Sequence, residues 1–359
     1  MTAAQAALTL LGVTVLACMV MVGTVLERKL RRDKREFTSL ARRERLERAL
    51  VSGDEAAIRP VAARACDEPQ AQVDFAITAA KTVDRLVDGN RLVLHRVAIH
   101  LGLVHCLIAQ LRSSDPIERG RAVFLLGELR FPGTEVVLAR LLSDPDPDVR
   151  LVAAAELGGM ASETSADALI AALMSGGLAP ERIIERLGVG WAVPRLVAVL
   201  EDQERADSLA PPDREPVSTW RASVARALGV AGDPRAELTL ARMLDSPHSE
   251  ERVAAARALG PCGTRASLPV LIKALDDPVW EVRAQAAKSL RRLPEPSAVP
   301  PLEERLSDEA WWVRSNAADT LAELGDAGVA ALRRALSHSD RYARERAREA
   351  LALHGLVRT

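Results

Sequence analysis

Three histidines raise the first question of chemistry. His95, His100 and His105 recur at intervals of five. On a helix each would be turned about 140° from the last, so they share no face on which to hold a metal ion. The four cysteines, Cys18, Cys66, Cys106 and Cys262, form no CxxC pair and lie far apart. That spacing excludes a zinc site, chain length excludes a small disulfide scaffold, and the thiols read as reduced. There is no phosphate-cradling glycine loop, no nucleophile elbow and no HExxH. The carboxylates are plentiful, but solvated helix faces account for them. The chain is therefore expected to be non-enzymatic, with no cofactor and no metal. Binding chemistry remains. With five Trp, four Phe and one Tyr in 359 residues, the chain still sets Trp311 beside Trp312 in "SDEAWWVRSN" (307–316).

The elements that must position those rings come from an internal repeat. Ala, Leu, Arg and Glu dominate long stretches, which favours helix, and no alternating β-branched run is present. The lines "DPDPDVRLVAAAELG", "DSPHSEERVAAARALG", "DDPVWEVRAQAAKSL" and "SDEAWWVRSNAADTL" align on Val149, Glu251, Val282 and Val313. Glu118, Trp220 and Ala343 extend this anchor slot, and the commonest step is 31 residues. Arg follows the anchor seven times: Arg119, Arg150, Arg221, Arg252, Arg283, Arg314 and Arg344. Leu stands eight residues past it in every copy, from Leu126 to Leu351, and seven before it in most, as at Leu275 and Leu336. Each unit reads as two helices. The first ends at the earlier Leu; a turn such as Asp277–Pro278 follows, Asp capping the second helix and Pro opening it. The second helix is expected to bury the anchor and the residues four and eight later, which share one face.

On these lines the chain resembles HEAT-repeat proteins, most closely the short bacterial HEAT-like repeats also found in phycobilisome lyases, over roughly residues 103–359. The expected fold is all-α: an α-solenoid of about eight two-helix repeats with a period of about 31, following a single transmembrane helix. A divergent copy, "LAPERIIERLG" (178–188), fills the gap between Val149 and Trp220. Residues 54–102 are expected to form a divergent helical N-terminal cap, and the highly charged last helix suits a terminal repeat.

Comparing slots between repeats gives candidate sites. The resemblance implies a structural arginine ladder, each Arg pairing with Asp or carbonyl groups of the stack, with Asp144, Asp277 and Asp308 in one slot. The functional alternative is a ladder of guanidinium groups for an anionic partner. The two slots before the anchor hold mostly polar residues or Pro, but Trp280, Trp311, Trp312 and Tyr342 fill them in successive repeats. They form an aromatic strip along the edge where the two helices join, read either as a partner-docking site or as rings folded over inter-repeat grooves. The polar, Pro-rich "EDQERADSLAPPDREPVS" (201–218) inserts a loop on the same edge, as a functional loop or as a tolerated insertion.

The N-terminus has a different character. Residues 5–26 are uncharged and apolar, long enough to cross a bilayer as a helix. Arg28, Lys29, Arg31, Arg32, Lys34 and Arg35 follow at once. A secretory signal would put its charge before the apolar run. The reversed order predicts a single-pass anchor in the inner (cytoplasmic) membrane, N-terminus out and solenoid in the cytoplasm, with the basic residues against anionic lipid. Residues 27–53 are a basic juxtamembrane helix along the lipid or a solvated stalk. Beyond them the balance turns acidic, which disfavours nucleic acid. The expectation is a membrane-anchored adaptor for a protein partner, with membrane complexes such as a glycosyltransferase or secretion system as examples by association. Two alternatives stand beside it: a bilin-lyase-like or other small-molecule-handling enzyme built on such repeats, and a periplasmic structural protein.

Overall fold

The computed structural model describes residues 44–67, 75, 78, 88–100, 102–202, 206, 209 and 217–356. The expected anchor at 5–26, the basic residues Arg28 to Arg35 and most of the inserted segment 201–218 lie outside the described residues. Among the described residues every regular element is helical, and no single helix is long and apolar enough to cross a membrane.

The chain divides into two compact units, Met1–Phe131 and Pro132–Thr359. In the first, residues 44–52 are helical, followed by α1 (Glu55–Asp67), α2 (Asp88–His100), α3 (Leu103–Gln110) and α4 (Pro116–Leu129). Gly53 takes a left-handed φ of 70° to end its helix. The Asp54 carboxylate then accepts the N–H groups of Ala56 and Ala57 at 3.0 and 3.2 Å, capping α1. His95, one of the three histidines, is half-buried against Phe131, with its ring nitrogen 3.2 Å from the Leu129 carbonyl. The pair α3–α4 has the repeat pattern, yet it groups with the segment that the sequence sets apart as a cap.

Among the described residues, the second unit holds seven further helix pairs. They are α5 (Thr134–Arg140) with α6 (Pro147–Met160), α7 (Glu163–Ser175) with α8 (Pro180–Leu187), α9 (Val193–Glu201) with α10 (Val217–Ala231), and α11 (Glu237–Met243) with α12 (Ser249–Cys262). Then come α13 (Leu268–Ala274) with α14 (Trp280–Leu290), α15 (Val299–Glu304) with α16 (Trp311–Glu323), and α17 (Gly325–Ala335) with α18 (Arg341–Leu353). The second helices pack in series from α6 to α18. This is an α-solenoid, and its core runs as a line between the layers of first and second helices.

The rows explain that core. Four past the anchor sit Ala153, Val224, Ala255, Ala286, Ala317 and Ala347, all buried, and eight past it Leu157, Leu228, Leu259, Leu290, Leu321 and Leu351. Small residues let the helices approach closely: a Cβ on Gly229 would stand 3.0 Å from the Ala258 backbone, and one on Gly260 would stand 3.0 Å from Ser289 Oγ. Polar side chains in this seam are satisfied across repeats. Ser289 Oγ donates to the Ala256 carbonyl at 2.7 Å and Thr320 Oγ1 to that of Ala287 at 2.8 Å.

Two expectations fail locally. Glu118 occupies an anchor slot but is exposed, its carboxylate accepting from Ser113 Oγ at 2.6 Å, whereas Glu251 in the same slot is buried because Arg221 and Ser246 bond its carboxylate. Asp277 and Pro278 do not cap and open α14. The helix begins two residues later at Trp280, because Asp277 Oδ1 accepts the Val279 N–H at 2.8 Å and tightens the chain into a turn first. Asp144 and Asp308 do the same to Asp146 and Ala310. The Asp–Pro opening is found instead in α4 and α6, where Asp115 and Asp146 cap and Pro116 and Pro147 stand first.

Candidate functional site

The arginine row lies beneath the edge where first and second helices join. In six copies the same nitrogen, Nη1, donates to the carbonyl six residues earlier. Arg119, Arg150, Arg252, Arg283, Arg314 and Arg344 make this bond at 2.7–2.9 Å. Each also reaches the next carbonyl along, as Arg283 reaches Pro278 at 3.3 Å. The guanidinium thus closes the turn before its own helix. Arg221, which follows the inserted segment, bonds the Leu200 carbonyl instead at 3.1 Å.

The rest of the fork crosses to the next repeat. Arg252 Nε and Nη2 donate to both oxygens of Asp277 at 2.8 and 3.1 Å, and Arg283 does the same to Asp308 at 2.8 and 2.9 Å. Hydrogen bonding to these carboxylates holds both guanidinium pKa values above their usual range. Burial alone would raise the Asp308 pKa, but hydrogen bonds from Arg283 and the Ala310 N–H outweigh it and leave Asp308 below the usual range. Arg221 meets Glu251 at 3.2 Å, a carboxylate in a slot that Val holds in three other repeats. Where the next repeat lacks the acid the fork is incomplete: Nε of Arg150 and of Arg314 is buried with no partner. Arg314 stacks instead over Tyr342, 4.7 Å from its ring centre.

The aromatic strip stands at the N-terminal ends of α14, α16 and α18. Trp280, Trp311, Trp312 and Tyr342 are 39%, 47%, 57% and 56% exposed, whereas Trp220 in an anchor slot is 1% exposed. The rings are also ordered by their neighbours. Trp311 and Trp312 meet edge to face, 4.6 Å apart at 82°. Arg346 lies 5.4 Å over Trp311. The links from Arg314 and Arg346 to the rings were not legible in the sequence, although Arg346 follows Tyr342 by one helical turn. The result is a surface of partly packed, half-exposed aromatic rings held on rigid helix ends.

A profile described as HEAT repeats matches residues 104–180, 214–291 and 268–352, more than half of the chain. The chain belongs to the HEAT-repeat family. The uncovered stretch between the first two matches, 181–213, contains nearly all of the short helix α8, then α9 and most of the inserted segment. No curated protein matches the chain. Similar solved structures include an engineered protein, 21% identical, covering 89% of this chain and 95% of its own, with a TM-score of 0.37. Human deoxyhypusine hydroxylase in complex with glycerol is 23% identical, covering 71% and 96%, with a TM-score of 0.31. The complex of CpcE and CpcF of phycocyanin lyase from Nostoc sp. is 21% identical, covering 70% and 94%, with a TM-score of 0.29.

Proposed function

We propose that this HEAT-repeat chain is a non-enzymatic scaffold, held at the cytoplasmic face of the inner membrane by residues 5–26, that binds a protein partner through its solenoid. One observation carries the reading: large aromatic side chains recur, half-exposed, at equivalent helix ends of consecutive repeats. Trp and Tyr at such positions offer wide contact area at a small entropic cost, since few rotatable bonds are fixed on binding. The arginine links below hold the rings at fixed spacing, so the edge is organised before a partner arrives. The uncharged run at 5–26 and the basic residues Arg28 to Arg35 support the membrane part of the proposal.

The test is capture of partners from detergent-solubilised native membranes by the wild-type chain and by the Trp280→Ala, Trp311→Ala, Trp312→Ala triple variant, matched for helicity and melting temperature. One membrane protein retained by wild type and lost by the folded variant supports the docking edge. Equal capture by both moves the partner site elsewhere on the solenoid.

A further inference from the structure

The C-terminal halves of the second helices form a different surface. α8, α10, α12 and α14 line an open groove of about 570 Å³, floored by small and apolar residues such as Gly229, Ala254 and Ala258. The close contacts of that floor set its register. A Cβ on Gly158 would meet Arg186, one on Gly229 would meet Ala258, and one on Gly260 would meet Ser289. Residues 186, 258 and 289 are therefore equivalent, and the slot just before each holds Glu185, Arg257 and Lys288. The same slot, six past the anchor, holds Phe124, Ala155, Arg226, Asp319 and Glu349 in the other repeats. Along the row there are three cations in succession, with carboxylates at both ends.

Two of those cations are not spent inside the fold, and the third is spent only in part. Arg257 and Lys288 are exposed, and no side-chain hydrogen bond or ion pair engages either among the described residues. Arg292, also on the groove wall, is in the same condition. Arg226 donates to Ser223 at 2.6 Å and lies only 3.9 Å from Glu181, and its Nε is buried without a partner. Some other exposed cations in this unit find carboxylates, as Lys273 finds Asp245 and Arg334 finds Glu303.

We propose that this groove takes an acidic, extended segment of a partner protein, with carboxylates on every third residue. Neighbouring packed helices stand about 8–10 Å apart, which sets the spacing of Arg226, Arg257 and Lys288. An extended chain advances about 3.3 Å per residue, so its every third side chain advances about 10 Å and returns to the same row. Each carboxylate then meets one cation, and the small-residue floor lets the backbone lie close. Glu185 at one end and Asp319 at the other repel any anion that runs on, which selects a segment of three acids over a long polyanion such as nucleic acid.

The experiment uses the full-length chain in detergent micelles and fluorescence anisotropy. The probe is a labelled peptide of three Glu-Ser-Thr units. The comparison probes are a peptide of the same composition with its three Glu contiguous, a Lys-Ser-Thr counterpart and a single-stranded DNA oligonucleotide. Wild type is expected to bind the spaced acidic peptide best, with affinity falling as salt rises. The Arg257→Ala, Lys288→Ala variant should lose about tenfold or more, and Arg257→Glu, Lys288→Glu should bind the Lys peptide instead. The Trp311→Ala, Trp312→Ala variant should keep the peptide affinity, separating this groove from the aromatic edge. Absence of binding to the spaced peptide, unchanged affinity in a folded groove variant, equal binding of the contiguous peptide, or tighter binding of DNA would each overturn the proposal.

Discussion

At the scale of single residues the solenoid depends on one repeated contact. Arg283 and Asp308 are both nearly buried, and each is satisfied by the other and by backbone. Arg283→Ala leaves a carboxylate buried without its cation and should destabilise by about 3–5 kcal/mol in urea denaturation, while Arg283→Met with Asp308→Leu should recover most of that. The pH dependence follows from the lowered Asp308 pKa. A carboxyl titrating lower when folded than when unfolded contributes stability above its unfolded value, near about pH 4, and that stability is lost as pH falls through the folded value. The melting temperature of wild type should therefore fall more steeply below about pH 4 than that of Asp308→Asn. The arginine row and the aromatic strip were both legible because seven copies of one slot stand in a single chain, so each copy tests the others. The groove cations were not: Arg226, Arg257 and Lys288 share a slot with Asp319 and Glu349, and a slot of mixed charge reads as a solvated face until its neighbours are seen to leave Arg257 and Lys288 unpaired.

At the scale of elements, the separation of neighbouring second helices is set by what they carry at the seam. Gly229→Ala places a methyl group 3.0 Å from the Ala258 backbone. It should cost about 1–3 kcal/mol by forcing α10 from α12. Gly159 in α6 has open space around its Cβ position. Gly159→Ala should instead stabilise by about 0.5–1 kcal/mol through helix propensity, and thermal melts of the two variants should move in opposite directions. Element type and order followed from the 31-residue period, since apolar slots four residues apart fit only a helix. Helix starts followed less well. Asp277–Pro278 has the composition of a cap, but the Asp side chain bonds a turn amide before the helix begins, and composition alone does not separate those two uses of Asp. α8 is short where the sequence diverges; the sequence placed this copy at 178–188, and the Gly158–Arg186 approach fixes its register.

At the scale of the whole molecule the prediction concerns the membrane. If residues 5–26 anchor the chain with its solenoid in the cytoplasm, a C-terminal green fluorescent protein fusion should fluoresce and an alkaline phosphatase fusion should be inactive; the reverse pattern rejects that topology. Deleting residues 1–35 should move the protein from the membrane to the soluble fraction with its helicity per residue unchanged. Within the second unit, Arg252 and Arg283 couple their repeats to the next by the same few atoms, and this bears on how such a chain can change length. Excision of residues 277–307 would join Asp276 to Asp308 and bring Asp308 to the place where Asp277 now receives both nitrogens of Arg252. The shortened chain should fold and melt cooperatively, one tryptophan and one groove lysine poorer. A gene for this protein can therefore gain or lose 31 codons at that turn and still encode a closed arginine link, so the number of repeats, and with it the length of ligand the groove can grip, is open to change by recombination in a single step.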